Sequence, residues 1–298
     1  MVGAMTRILQ KIWTKCWTIG IIEGGISSIM TNDVLDVKWL KLSKERWFAD
    51  PFVLDVVGNE VHLLVEDFEY AKGKASISLL KIDRQTMTII SRKIVLELPT
   101  HLSFPFILRE NGRIFVCPEN CQGEGLVMYE FDKTNETLLP CKKICNDVVW
   151  DSVVTHRFGE PLLFTANKDD YHLDIYKKHG EEFSFYKTIV SQNTDSRMAG
   201  DVFEYEGNYY YPAQDCSNGY GESVVIKEVF VENGEVRIGN IVKRFRSTNK
   251  RMPLGFHTMN EYKGVVAVDS CGWRYKNIVS CVLWVSKIKN YCRKVCRK

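Results

Sequence analysis

The sequence predicts an all-β protein, a five-bladed β-propeller, and three observations carry that reading. First, five hairpins recur, with turn glycines at Gly58, Gly112, Gly159, Gly207 and Gly264 spaced 47 to 57 residues apart; repeats of this period mark solenoids and propellers. Second, each repeat is built from short runs rich in Val, Ile, Tyr and Phe, bounded by turn residues, so the repeated unit is strand. Third, the strands close a ring. Four blades supply four runs each, and the last lacks one that a strand at the N-terminus can provide, leaving no open edge.

Taken in order, residues 1–16 read as a lead-in. Residues 17–22 form an isolated strand assigned to the final blade, so the propeller spans 17–285. Residues 26–44 make an irregular crossing, with 36–40 as a candidate for pairing. Blade one holds runs at 47–54, 61–66, 75–82 and 87–95. Blade two holds 104–108, 114–117, 126–131 and 136–142, and blade three 148–156, 161–165, 173–177 and 183–189. Blade four begins near Met198 and continues at 209–211, 222–230 and 236–243. Blade five has 254–258, 265–268 and an outer strand at 278–285. Residues 286–298 are a basic tail containing Lys287, Lys289, Arg293, Lys294, Arg297 and Lys298.

Composition narrows the function classes. The 298 residues are 45% hydrophobic and 12% aromatic, enough for a sizeable core, and no Ser, Pro or Gly tract divides them. A net charge of +3 with a terminal basic cluster reads as a solvated tail and not as a nucleic-acid surface. The apolar N-terminal stretch is broken by Lys15 and Glu23 and lacks a cleavage pattern, and no run is long enough to span a bilayer. A cytoplasmic protein without a transmembrane segment is expected. Cys117/Cys121 and Cys141/Cys145 have a spacing that zinc sites tolerate, but they read as structural thiols. No phosphate-cradling glycine motif supports a nucleotide cofactor, although a nucleotide-sugar ligand needs none.

The acids supply the candidate site. Eight residues before the five turn glycines stand Asp50, Phe104, Asp151, Ala199 and Phe256. The second strands end at Glu66, Glu119, Asn167, Asp215 and Asp269. In a propeller these positions meet at one mouth of the central channel, which predicts a carboxylate-lined pocket. His101, Arg197 and Arg274 are placed near it, with Asp67, Asn167, His156 and Gln214 as further polar candidates. Trp47, Phe104, Tyr220 and Trp273 are the aromatic surfaces. Glycosidic cleavage with inversion needs one protonated and one ionised carboxyl, about 6.5–9.5 Å apart. Crowded acids separate their own pKa values in that way. Asp50 with Glu119 or Asp201 is the expected pair. The same mouth suits sugar hydroxyls, a cationic amino sugar, or a divalent cation in the channel.

Four motifs carry a resemblance: Ala49-Asp50-Pro51-Phe52-Val53, His101-Leu102-Ser103-Phe104-Pro105-Phe106, Ala199-Gly200 with Tyr211-Pro212-Ala213-Gln214-Asp215-Cys216, and Gly255-Phe256-His257-Thr258. Across residues 17–285 the chain resembles a bacterial family related to the N-terminal domain of plant glucosamine inositolphosphorylceramide transferases. That group is similar to the five-bladed arabinanases, xylosidases and fructosidases. The resemblance implies Asp50 as general base, Asp151 as the residue that orients substrate and tunes the acid, and His257 as the central histidine. It also implies a general-acid glutamate at the start of blade four, where this chain has Ala199, with Asp201 two residues on. The expected substrate-binding residues are Glu66, His101, Arg197, Asp215, His257, Asp269 and Trp273. The resulting expectation is a glycosidase-like or sugar-transferring enzyme of surface-glycan metabolism. The alternative is a non-catalytic glycan-binding or scaffold propeller that partners a glycosyltransferase.

Overall fold

The computed structural model describes residues 13–166, 172–191 and 193–275. Asn167, the expected outer strand at 278–285 and the basic tail lie outside the described residues. The described elements are strands apart from one short helix, Gly25–Thr31.

Five four-stranded antiparallel units account for the sheets. Blade one is Arg46–Val57, Glu60–Glu69, Lys74–Asp83 and Thr88–Leu96. Blade two is Ser103–Glu110, Arg113–Glu119, Leu126–Asp132 and Thr137–Cys145. Blade three is Trp150–Thr155, Leu162–Ala166, Leu173–His179 and Glu182–Ile189, and its outer strand meets that of blade two in a parallel bridge of Cys145 with Phe183. Blade four has a divided inner strand, Arg197–Met198 and Phe203–Tyr205, followed by Asn208–Asp215, Ser223–Glu232 and Glu235–Phe245. This is the five-bladed all-β propeller expected from the hairpin period. All five turn glycines have positive φ, 56–90°, with open space around them, which glycine adopts without strain.

Blade five combines both ends of the described chain. Its inner strands are Met259–Tyr262 and Val265–Tyr275. Trp13–Glu23 pairs antiparallel with Val265–Tyr275 over its whole length, from Trp13 opposite Tyr275 to Glu23 opposite Val265. It begins at Trp13 and so takes in residues expected to be lead-in. Lys38–Trp39 adds the fourth strand opposite Gly20 and Ile21. The helix occupies part of the crossing expected to be irregular. Its apolar residues Ile26, Ile29 and Met30 lie on one face, too few to show as a period in sequence, and they pack on blades four and five.

The core lies between blades, where facing sheets interdigitate. Phe52 of blade one meets Phe104 of blade two edge-on at 5.0 Å, and Phe158 meets Tyr209 across the step from blade three to blade four at 5.5 Å. Ile19, Ile21, Leu63, Leu80 and Val265 fill the joint between blades five and one.

Candidate functional site

The inner strands of the first three blades share one irregularity. Asp50, Phe104 and Asp151 have left-handed backbone, φ 47°, 40° and 46°, each at a break in the ladder to the second strand. Such bulges re-aim a side chain, and Asp tolerates this conformation better than most residues. The eight-residue count back from the turn glycine thus marks a bulge in these blades.

Each bulge turns its backbone N–H inward, where a carboxylate from another blade accepts it. Asp50 N–H donates to Asp269 Oδ2 (3.2 Å), Phe104 N–H to Asp50 Oδ2 (3.1 Å), and Asp151 N–H to Glu119 Oε2 (2.8 Å). The acids at the mouth therefore tie blade five to one, one to two, and two to three. This structural role was not legible from their positions in sequence.

Around Asp50 the bonding is dense. Thr258 Oγ1 donates to Asp50 Oδ1 at 2.7 Å, and His257 Nδ1 lies 2.7 Å from Asp269 Oδ2 and 3.7 Å from Asp50 Oδ1. Asp269 Oδ1 also accepts the backbone N–H groups of His257 and Thr258. Burial opposes charge on His257, but Asp269 and then Asp50 hold its pKa up to about 9. The imidazolium is sandwiched by Trp17, stacked at 3.9 Å, and by the edge of Tyr220 at 5.6 Å. Gly221, φ 59°, permits this close approach, because a Cβ there would lie 2.7 Å from His257 Cβ.

The second half of the site centres on Asp151. Arg197 Nε pairs with Asp151 Oδ2, and Arg197 Nη2 lies 3.8 Å from Glu119 Oε2. Gln214 Nε2 donates to the same Asp151 oxygen at 2.7 Å. Arg197 also sits 5.3 Å from the Tyr220 ring centre, linking the two halves. A buried Lys227–Asp195 pair at 2.7 Å anchors the segment that delivers Arg197. Burial, then Asp151, raise the pKa of Glu119 to about 8, against the opposing charge of Arg197. Glu66 is pushed well up by burial and then by the charge of Asp50. Burial also raises Asp50, against the opposing charge of His257. Five buried carboxyls, Asp50, Glu66, Glu119, Asp151 and Asp269, surround the cations Arg197 and His257. Charge excess and desolvation together favour proton retention by part of the set.

Several expected site residues lie elsewhere. Asp201 was placed beside Ala199 by strand alternation, but the inner strand is broken there. Met259 N–H donates to Ala199 O (2.8 Å), and Asp201 N–H to Asn260 Oδ1 (3.2 Å). Asp201 is exposed, and the charges acting on it are those of Arg157 and Arg109, farther along the inner strands. Asp215 is bound by Arg244 and by Ser217, fixing its own loop. Asp67 is held by Arg46, Arg92 and Ser78, His156 by Glu110, and Arg274 by the Ser43 carbonyl. Trp273 lies opposite Lys15 in the closing sheet, and Trp17 supplies the aromatic surface on His257 instead. Trp47 stacks on Phe68 at 4.7 Å. Trp17 and Thr258 were missed as site residues. Only the pairing of the N-terminal strand with blade five brings Trp17 to His257.

Asp50, His257 and Asp269 are the one His/Cys/Asp/Glu group among the described residues with ligand atoms within 4.8 Å of one another. Their donor set does not fit a divalent cation, because the acceptor oxygens are already occupied by N–H and O–H donors and the imidazolium supplies the positive charge. Chelator treatment is expected to leave the melting temperature unchanged. A fall of several degrees, reversed by added calcium or zinc, would show a bound ion. Of the paired cysteines, Cys117 and Cys145 are buried, while Cys121 and Cys141 are exposed.

The buried ionisations also predict a stability profile. His257 has its pKa raised above the unfolded value, so its contribution is complete below about 6.5 and lost as pH rises to about 9. Glu119, whose pKa is raised from the ordinary carboxylate value of about 4.3 to about 8, loses its contribution between those two values and so adds only to the lower part of that limb. Melting temperature should therefore fall between pH 6.5 and 9, and His257→Gln should flatten that fall. A flat wild-type profile in this range would contradict the charge assignment.

Comparison with known proteins places this geometry in a family. Residues 42–251 match the family described as glucosamine inositolphosphorylceramide transferase 1, N-terminal. The chain is 25% identical over 205 residues to glucosamine inositolphosphorylceramide transferase 1 of Arabidopsis thaliana, covering 64% of this chain and 26% of that protein. It is 26% identical over 245 residues to the protein of that name from Oryza sativa subsp. japonica, covering 78% and 31%. The chain thus spans about a third or less of these relatives. Among solved structures, a GH43_1 enzyme from Xanthomonas citri superposes with TM-score 0.53 at 9% identity, covering 78% of this chain and 88% of that one. A β-xylosidase superposes with TM-score 0.52 at 10% identity, covering 69% and 80%. The match covers most of the chain: the protein belongs to the family of the N-terminal domain of glucosamine inositolphosphorylceramide transferase 1.

Proposed function

We propose that this protein is a carbohydrate-active domain that receives a glycoside or an activated sugar, such as a nucleotide sugar, at the acid cluster. In this reading it acts in the cytoplasm of a bacterium, in surface-glycan metabolism. The carrying observation is one buried cluster in which Asp50 lies 3.7 Å from His257 Nδ1 and Glu119 lies 3.8 Å from Arg197, with burial and Asp151 pushing the Glu119 pKa up. Glu119 gives its proton to the leaving oxygen as the glycosidic bond breaks. Asp50 takes a proton from the attacking water or acceptor hydroxyl, and Asp151 with Arg197 orients the sugar and tunes Glu119. The named activities of the family's relatives, sugar transfer, and of the structural neighbours, glycoside hydrolysis, support a sugar as the ligand class.

A second reading has its own observation. Ala199 stands where the resemblance implies a general acid, and Asp201 is held by Asn260 away from the cluster. A glycan-binding or scaffold propeller partnering a glycosyltransferase needs no such acid. The test is a turnover screen of glycosides and nucleotide sugars, paired with calorimetric binding. Turnover supports the first reading. Binding without turnover transfers the site to the second, and neither binding nor turnover overturns both.

A further inference from the structure

We propose that the cleft at the turn end of the seam between blades three and four is a second saccharide-binding site, which takes a neutral linear oligosaccharide. The cleft has a volume of about 480 Å³, within the usual range for small-molecule sites. Its walls are the rings of Phe158, Tyr209 and Phe230 with Val231, and Arg157 and Glu228 supply the charge. Phe230 and Val231 are 45% and 50% exposed, large apolar side chains that the fold leaves uncovered. A shallower recess shares Phe158 and Val231 and runs on toward Tyr186, so the groove is longer than one sugar ring. The site is distinct from the acid cluster. Asn208 lines it, whereas Gln214, six residues along the same strand and about 20 Å away, reaches Asp151 at the mouth.

The two charged groups are held by their inner atoms and free at their outer ones. Arg157 Nε donates to the Val202 carbonyl (2.9 Å), and its guanidinium carbon lies 5.9 Å from the centre of the Tyr209 ring. Asn240 N–H donates to Glu228 Oε2 (3.2 Å). Among the described residues neither side chain has an ion-pair partner at contact distance, which leaves the Arg157 Nη groups and Glu228 Oε1 for a ligand. The placement of Glu228 has two local causes. The ladder of Ser223–Glu232 with Glu235–Phe245 shifts register between Lys227 and Val229, and such a bulge re-aims the residue it contains. Across the ladder stands Gly239, where a Cβ would lie 2.8 Å from Glu228 Oε2 and 3.3 Å from the Phe230 ring. Glycine inside a strand marks a close approach, and here it lets the carboxylate and the ring settle side by side. One cation and one anion, unpaired in one cleft, suit a neutral ligand rich in both donors and acceptors. Adjacent sugar hydroxyls donate to the carboxylate and accept from the guanidinium, while the C–H face of the sugar lies on an aromatic ring. A phosphate is drawn to Arg157 but repelled by Glu228, and an alkyl chain strips water from both charges without replacing its hydrogen bonds. A zwitterionic amino acid matches the charges but not the length of the groove.

The experiment is an NMR titration of the intact protein, labelled at its valine methyls, with cellotriose, maltotriose, xylotriose and mannotriose. Phenylalanine and inorganic phosphate are titrated for comparison. Val229 and Val231 line the cleft and report on it locally; their resonances are assigned from the Val229→Ile and Val231→Ile spectra. The expected result is a saturable shift of both with at least one trisaccharide, retained in Asp50→Asn because the acid cluster lies at the other end of the strands. Glu228→Gln and Phe230→Ala should melt as the wild type, since neither side chain is buried. Both should bind that sugar more weakly by roughly tenfold or more, the scale of one lost bond to a charged group. Gly239→Ala keeps both groups and should weaken binding as well, because the added Cβ displaces the carboxylate. No shift with any trisaccharide, tighter binding of phenylalanine or phosphate than of the sugars, or wild-type affinity in both Glu228→Gln and Phe230→Ala overturns the proposal. The readout needs no turnover. Methyl shifts without turnover on any sugar leave this site standing and count only against a catalytic acid cluster, whereas turnover without methyl shifts removes this site alone.

Discussion

Asp50→Asn is expected to keep the fold and lower turnover by roughly 10²- to 10⁴-fold, the usual scale of general acid–base assistance. Asn tolerates the left-handed backbone at this position, φ 47°. Its carbonyl oxygen can accept the Phe104 N–H while its amide faces Thr258 Oγ1, a hydroxyl able to accept. Steric and backbone terms are therefore nearly unchanged, and the basic oxygen is lost. Glu119→Gln should retain ligand binding, since a neutral amide resembles the protonated acid, and should lose turnover on poor leaving groups far more than on good ones. Asp201→Asn is the control and should match the wild type, because Asn260 and the distant arginines are its neighbours. Steady-state rates on a matched pair of substrates measure all three. Full activity in Asp50→Asn, or a large loss confined to Asp201→Asn, would remove the assignment.

Deleting residues 1–24 is expected to abolish folding. The deleted strand pairs along the whole of Val265–Tyr275 and buries Cys16, Trp17, Ile19, Ile21 and Ile22. At about 1.5–3 kcal/mol for each large apolar side chain, its loss is comparable with a typical net stability of roughly 5–15 kcal/mol. It also opens a long strand edge beside the site and removes the ring stacked on His257. The measurement is soluble yield with a thermal melt by circular dichroism. A truncated protein that melts within a few degrees of the intact chain would show that blade five does not need this strand.

The sequence by itself determined the blade order, the turns, and the end of the propeller at which acids collect. These are local properties. Strand runs follow from residue type, and the turns at Gly58, Gly112, Gly159, Gly207 and Gly264 follow from backbone freedom within a few residues. Only the tertiary structure decided what the acids do there. Asp50 is bonded to Thr258 and Asp269, and Asp151 to Arg197 and Gln214, across separations that no local pattern records. Asp201 illustrates the limit. Alternation puts it on the face of Ala199 only while the strand stays regular, and the bond from Met259 N–H to Ala199 O belongs to another blade. Trp17 illustrates the converse, since its register against Cys271 brings it to His257 only after the ring has closed. A propeller mouth is assembled from one or two residues per blade. Its chemistry is set by how neighbouring blades bond and desolvate them, and that is a property of the closed ring.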